Sequence, residues 1–589
     1  MPSWRKVRRS LTDVLAQVDE LVDAFVAAEP VPGVAYGVIV DGELARTRGV
    51  GTVKVGAETA PDADTVFRIA SMTKSFTATT VLLLRDEGRL QLDDPAALHV
   101  PELQGQRPPV ADAPSITIRR LLSMSAGFPG DDPWGDRQQD LDRDAFSELL
   151  EGGQSFAFMP GTAFEYSNLG YAILGRIITN VTGQEYRDVV RSRVLEPLGM
   201  TSTGYEAAAF PDERLATGYA RRDDAFVEEP FAGYGAFASM GGLFSTVHDL
   251  ARWVDGFARA FAPRGQDAHP LSRASRLEMQ QVERMIDPEL TWVSVAALPT
   301  VVAMGYGFGT FVRSDMELGT VVAHSGGYPG FGSHMRWHPA SGVGVVVLGN
   351  RTYFPALKIG DQMLRTLVRA EPAPIRRLTP APALEVARDA VERLLAAWDD
   401  DLAAATFSMN VDMDEPLERR RAAFDRLRET HGPLHRSDEP ATSDTPLHVE
   451  WWLDGASGHG RVRVEITLDP QAVPKLQHME VTSVPEPGPH LRAAAEALVS
   501  AANGEATDML PLADTADGAA IERDRFLVSA LFGPGTLGPA TAGGSSSATF
   551  RVHAERGAVD LALIVDEGGH ILTATWTPRP VRPPISDVR

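Results

Sequence analysis

A Pro-rich stretch, EPAPIRRLTPAP from Glu371 to Pro382, constrains how this chain can fold more than any other feature. Proline fixes φ and has no backbone N–H, so neither a helix nor a central strand runs through such a stretch. It reads as a linker between residues 1–370 and a C-terminal half. The length requires such a division, because 589 residues exceed what one hydrophobic core organises. With 43% hydrophobic and 23% charged residues, the chain is globular rather than disordered throughout.

Charge and composition exclude several classes of function. A formal net charge of -23 repels nucleic acid and anionic membrane surfaces, so neither is expected as a partner. With no cysteine, disulfides, thiolate nucleophiles and Cys-based metal sites are ruled out. No Walker or dinucleotide loop is present, and no His-Glu-x-x-His; His334 and His338 fall on an expected strand, where that spacing makes no zinc face. No cofactor and no metal are therefore expected. The basic start, Met1 to Arg9, has no apolar segment behind it, and Leu11 to Ala28 is interrupted by Asp13, Asp19, Glu20 and Asp23. That stretch reads as an amphipathic helix rather than a signal peptide. Without a long apolar run, a cytoplasmic location is the expectation. The oligomeric state is left open.

Before the linker, Val34 to Val40 and Glu43 to Val53 flank Asp41-Gly42 as a hairpin. A helix whose middle is apolar nearly all round follows from Ser71 to Gly88, then a helical stretch from Thr117 to Ser125 and a Gly/Pro/Asp-rich loop from Gly127 to Gly135. One long helix is expected over Leu169 to Val194. Strands are expected at Tyr306–Val312, Thr320–Ala323, His334–His338 and Val343–Leu348, with a closing helix at Pro355–Val368. Strands from both ends around central helices imply one sheet built from the two termini. Beyond the linker a weak repeat is visible. A helix at Leu384–Leu402 and a helical Leu417–Thr430 precede strands at 447–453, 460–468 and 475–484. A helix at Leu491–Ala502 precedes strands at 548–554, 559–565 and 570–577. The expected domains are thus 1–370, linker 371–382, 383–487 and 488–589. Helix plus meander, twice, is similar to cone-shaped α+β domains of the nuclear transport factor type, with a lipocalin-like barrel as the alternative.

Three local patterns carry chemistry. Ser71-Met72-Thr73-Lys74 is a Ser-x-x-Lys at a helix start, where residues i and i+3 share a face and the lysine can reach the serine oxygen. A serine hydroxyl needs such a base, and the helix N-terminus favours a developing oxyanion. A second copy, Ser3-Trp4-Arg5-Lys6, has no scaffold behind it and reads as chance. Only five lysines stand among 56 Lys+Arg, so a lysine here is a pointed choice over arginine, which cannot serve as a base. The alternative is a helix-capping serine beside a surface lysine. Tyr166-Ser167-Asn168 is the only Tyr-x-Asn; near a lysine cation the phenol could act as a base and Asn168 could bond Lys74 and a substrate amide. Otherwise Tyr166 is an aromatic packed at a helix start. His324-Ser325-Gly326-Gly327 at a strand end offers backbone N–H groups and close approach, or is simply a Gly-rich turn.

Ser-x-x-Lys, Tyr-x-Asn and Lys/His-x-Gly in this order resemble the serine β-lactamase and penicillin-binding-protein superfamily, over roughly residues 20–370. Phe67-Arg68-Ile69-Ala70 before Ser71, Pro160-Gly161 before Tyr166, Leu195 to Met200, and Gly241 to Thr246 are like its class C branch. The resemblance implies an α/β (α+β) domain with an antiparallel sheet and a helical subdomain. It implies a Ser71 acyl-enzyme, proton transfer by Lys74 and Tyr166, and an oxyanion held by the N–H groups of Ser71 and Gly327, with Asn168, His324, Ser325 and Gly326 lining the site. The substrate would be a small molecule or short peptide: an ester, an amide or a D-amino-acid-containing peptide. Two positions depart from the pattern. His324 stands where true β-lactamases usually carry lysine, as in esterase and D-aminopeptidase members, and Met124 stands where many relatives have histidine, which reads as packing variation. The competing reading is a catalytically silent binding or scaffold protein that uses its C-terminal domains for a partner.

Overall fold

The computed structural model describes residues 10–106, 110–261, 267–293, 298–315, 318–370, 379–458, 460–505 and 510–579. The chain divides into two compact units, 1–297 with 301–374, and 375–589 with 298–300. The expected linker lies mostly outside the described residues, at 371–378.

The first unit is built on eight strands: β1 (Gly33–Val40), β2 (Glu43–Gly51), β3 (Arg284–Val293), β4 (Leu298–Tyr306), β5 (Phe311–Asp315), β6 (Gly319–Tyr328), β7 (Phe331–His338) and β8 (Val343–Gly349). Their order across the sheet is β2-β1-β8-β7-β6-β5-β4-β3, so the N-terminal hairpin completes a sheet whose other strands come from residues 284–349. The pairs β1–β8, β7–β8 and β6–β7 are antiparallel.

The alternation of side chains along a strand explains why the central strands are apolar throughout. Val34, Tyr36, Val38 and Val40 of β1 join Val343, Val345 and Val347 of β8 against helix α1 (Leu11–Ala28) and the closing helix. Ala35 and Ile39, with Val346, Leu348, Met335 and Trp337, face the opposite way into the helical layer. That layer contains α2 (Thr73–Asp86), α3 (Asn168–Thr182) and α4 (Val247–Ala258), and the closing helix is α5 (Ala356–Arg369). α1 buries Val14, Val18 and Val22, one residue per turn, and each such valine contributes about 1.5–3 kcal/mol over exposure. α2 is covered on all sides from Thr73 to Leu84, and its Phe76 stacks on Trp253 of α4 at 3.7 Å.

The structure departs from the sequence expectations where glycine punctuates an apolar run. Residues expected as one strand, 306–312, are a hairpin turn joining β4 to β5, with Gly309 at φ +72°. A Cβ at Gly309 would lie 2.7 Å from the carbonyl oxygen of Lys74, so this turn also packs on the start of α2. The helix expected over 169–194 stops at Thr182, where Gly183 takes φ 73°; a short helix and a π-turn follow at Tyr186–Val190 and Arg191–Leu195. Likewise Leu384–Leu402 is two helices, Pro382–Ala396 and Asp400–Thr406.

The second unit contains both copies of the repeat. Each ends in a four-stranded antiparallel meander, over Leu434–Arg436, His448–Gly455, Arg461–Leu468 and Leu476–Val484, and over Gly535–Gly543, Ser547–Ala554, Gly557–Val565 and Ile571–Arg579. The first strand of each and the helix Gly518–Phe532 add to the expected elements. The strands form two separate sheets, so among the described residues they do not close into the single barrel of the lipocalin-like alternative. In the first copy Val462, Val464, Ile466 and Leu468 alternate inward onto Leu384, Val391, Leu394 and Phe424. No helix among the described residues is long and apolar enough to cross a membrane.

Both faces of the large sheet are covered by helices that end at Arg369, so a 1–370 fragment is expected to melt in one cooperative transition. Far-UV circular dichroism through a thermal melt checks this. A fragment without secondary structure would show that the core needs residues beyond 370.

Candidate active site

Ser71 sits in a 3₁₀ turn, Ala70–Met72, that runs directly into α2. The turn is strained, because Ala70 adopts φ 48°, a left-handed value that costs a non-glycine residue about 1–3 kcal/mol. Its surroundings hold it there. Ile69 N–H donates to Leu243 O at 2.9 Å, and Ile69 O accepts from Ser333 Oγ at 2.8 Å. Gly326 of β6 lies underneath; a Cβ there would fall 2.1 Å from Ile69 O, so only glycine lets the turn lie on the strand.

One turn into the helix, Lys74 is fully buried and its three donors are all engaged. The ammonium reaches Ser71 Oγ at 3.0 Å, Asn168 Oδ1 at 2.6 Å and the carbonyl oxygen of Met240 at 2.9 Å. Burial pulls its pKa down to about 8, while the carboxylates of Asp132, Asp136 and Asp131 oppose the shift.

Those carboxylates belong to a turn at 131–138 that sequence reasoning passed over as a loop. Asp131 accepts from the backbone N–H groups of Asn168 (2.6 Å) and Leu169 (2.8 Å), capping α3 from outside. Asp132 Oδ1 accepts from Asn168 Nδ2 at 2.8 Å. With a carboxylate on its nitrogen side and an ammonium on its oxygen side, the Asn168 amide has only one satisfactory orientation. Burial raises the pKa of Asp136 to about 6, against the hydrogen bond it accepts from Tyr353. The signal available in the sequence was the acidic run Asp131-Asp132-Pro133-Trp134-Gly135-Asp136. Nothing in it indicated a neighbour more than 30 positions away.

Tyr166, half-buried, leads into α3. Its ring centre is 4.8 Å from Lys74 Nζ, and the nearby Ser71 side chain acts to lower the pKa of its hydroxyl. Burial, with Asp132 nearby, raises the phenol well above its ordinary pKa, so the resting site keeps this proton on Tyr166. The departure at Met124 also acquires a physical role. Its carbonyl accepts from Glu165 N at 2.9 Å and its sulfur from Ser167 N at 3.4 Å, so it holds the segment that presents Tyr166.

The third motif lies on β6, whose register with β5 ends at Ala323–Phe311. Tyr328 and Phe331 close the β6–β7 hairpin around Pro329-Gly330, and a closing pair exchanges both hydrogen bonds. Alternation then directs the N–H of Gly327 away from β7, to the edge that β5 has left open. His324 is buried on the Ser71 side of the strand, with its ring centre 6.4 Å from that of Tyr166. Its Nδ1–H donates to Ser325 O at 2.6 Å, which leaves Nε2 to accept from Tyr306 Oη at 3.0 Å. Burial and the Lys74 cation push its pKa down to about 3, so the ring is neutral. The Ser325 side chain points to the other face and shares a 2.8 Å hydrogen bond with His334 Nδ1. Of the expected residues, Ser71, Lys74, Tyr166, Asn168, His324 and Gly326 thus converge. Gly327 borders them through its backbone, and the Ser325 hydroxyl stands apart.

Comparison with known proteins places this geometry in a family. The beta-lactamase family model matches residues 18–370. The chain is 29% identical over 363 residues to Protein flp of Staphylococcus aureus (strain COL), covering 59% of this chain and 66% of that protein, a little under two thirds. It is 32% identical over 351 residues to Penicillin-binding protein 4 of Amycolatopsis lactamdurans, covering 57% of this chain and 85% of that one. The octameric penicillin-binding protein homologue from Pyrococcus abyssi shares the fold at 18% identity and TM-score 0.51, over 96% of this chain and 99% of its own. The match spans more than half the chain and includes Ser71, Lys74, Tyr166 and His324; the protein belongs to the beta-lactamase family, within the serine β-lactamase and penicillin-binding-protein superfamily.

Proposed function

We propose that the protein is a serine hydrolase that forms an acyl-enzyme on Ser71. One observation carries the reading: a lysine with no exposed surface, 3.0 Å from the serine oxygen, with its pKa drawn down to about 8. Neutral Lys74 takes the proton as Ser71 Oγ attacks the substrate carbonyl carbon. The oxyanion lies between the N–H of Ser71 and that of Gly327. As the carbon–leaving-group bond breaks, the proton passes from Lys74 to the leaving group through the Tyr166 hydroxyl. A water then attacks the acyl carbon, gives its proton back along the same path and frees Ser71.

The substrate in this reading is a small ester first, and an amide or D-amino-acid-containing peptide second. A neutral, doubly hydrogen-bonded His324 offers no charge to the carboxylate of a β-lactam. Ester leaving groups also need less proton delivery from Tyr166 than amines do.

Three outcomes are expected. Ser71→Ala should lose covalent fluorophosphonate labelling and lower turnover of p-nitrophenyl esters by several powers of ten at unchanged melting temperature, whereas Ser3→Ala should alter neither. An active, labelled Ser71→Ala protein contradicts the proposal. The base must be unprotonated to act, so kcat/KM should rise with pH through a limb near 8; a flat profile between pH 6 and 9 would exclude Lys74 as that base. Finally, aryl esters should outpace a chromogenic cephalosporin at neutral pH, and His324→Lys should shift the kcat/KM ratio toward the cephalosporin. An unchanged ratio would remove His324 as the selector.

A further inference from the structure

The segment after β8 crosses the end of the sheet on the face away from α2. Three glycines in register, Gly327, Gly332 and Gly349, form a row without side chains there. Tyr353 and Phe354 lie on that row. A Cβ at Gly332 would be 2.3 Å from Phe354 O, one at Gly349 2.5 Å from the Phe354 ring, and one at Gly327 2.5 Å from the Tyr353 ring. Tyr353 is therefore in van der Waals contact with the residue whose N–H faces the open edge of β6. It adopts φ 48°, and its side chain is still 49% exposed, an unusual combination for an aromatic residue. Two bonds hold it: its N–H donates to Phe331 O at 3.1 Å, and its hydroxyl donates to Asp136 Oδ2 at 2.6 Å.

The second bond joins opposite sides of the site. Gly327 lies on the strand edge, and Asp136 lies on the 131–138 turn that also orients Asn168 beside Lys74. The Tyr353–Asp136 bond therefore passes the Gly327 end of the open edge of β6. The charges at that end are mainly negative: Asp131, Asp132 and Asp136 share the turn, and burial leaves Asp136 ionised above a pH of about 6. Of the cations nearby, Lys74 is hydrogen-bonded to Ser71, Asn168 and Met240 O, Arg137 lies 3.5 Å from Glu229, and Arg68 is buried between Phe244 and Tyr328 with Nη2 on Ala232 O.

We propose that Tyr353 is a specificity-determining residue that closes one end of the cleft beside Ser71, and that with Asp136 it bars substrates carrying a carboxylate at that end. The proposal rests on the Ser71 reading above. It is separate from the effect of His324, which lies on the other face of β6.

The test compares kcat/KM for p-nitrophenyl acetate, p-nitrophenyl hemisuccinate and 4-acetoxybenzoate, which carry no carboxylate, one on the acyl side and one on the leaving side. Wild type should disfavour one of the two carboxylated esters. Asp136→Asn should raise that ester's kcat/KM relative to the acetate by at least about fivefold, the size of one screened charge contact. Tyr353→Ala should admit bulkier groups at that end while leaving the Asp136 charge in place. Tyr353→Phe, which keeps the ring on Gly327, should keep both the size limit and the charge discrimination. If both carboxylated esters keep their wild-type ratios in Asp136→Asn, or if Tyr353→Ala admits no bulkier ester, with Ser71 still labelled by fluorophosphonate, the proposal is wrong. Loss of labelling in wild type would instead overturn the hydrolase reading.

Discussion

The Lys74 ammonium has no exposed surface, and each of its three N–H bonds ends on a different part of the chain: the Ser71 turn, the start of α3 and the carbonyl of Met240. A buried cation is costly unless fully hydrogen-bonded, so these segments must meet at one point. Much of the surrounding architecture serves that convergence. Gly326 lets the Ser71 turn rest on β6, Gly309 lets the β4–β5 turn rest on the start of α2, and Asp131 caps α3 from outside so that Asn168 faces the ammonium. The left-handed Ala70 is the local strain that this packing sustains.

The electrostatics separate the roles of groups that share a short list of hydrogen bonds. Burial lowers Lys74 and raises Tyr166, so the two move apart, and the lysine is the one brought toward neutral pH. Three carboxylates on one turn stop the lysine from falling further. The same turn reaches Tyr353, whose hydroxyl donates to Asp136, so the carboxylates that act on Lys74 also hold a residue packed on Gly327.

What the sequence made legible was local. Ser71 and Lys74 are one helical turn apart, Tyr166 and Asn168 straddle a helix start, and β1 and β8 are continuous apolar runs; such patterns survive translation into structure. Contacts across long separations were not legible. The Asp132–Asn168 bond spans 36 positions, and the Tyr353–Asp136 bond spans 217. Two errors in element boundaries had a common cause: Gly183, Gly307 and Gly309 sit in otherwise continuous apolar text, and a periodic pattern does not reveal which glycine will take a positive φ. The break in Leu384–Leu402 has no glycine and falls where Asp399 caps a second helix. Ser325 was grouped with its motif by adjacency, but on a strand adjacent residues face opposite ways.

The central claim, that Lys74 is a buried base with a lowered pKa, can be measured directly because the chain has only five lysines, Lys6, Lys54, Lys74, Lys358 and Lys475. In protein labelled with ¹³C at the lysine Cε, each residue gives one titrating signal, and Lys74→Arg assigns the one that matters. The account predicts that this signal titrates near pH 8, well below the ordinary lysine value of about 10.4. A Lys74 signal that titrates at or above that ordinary value would contradict it.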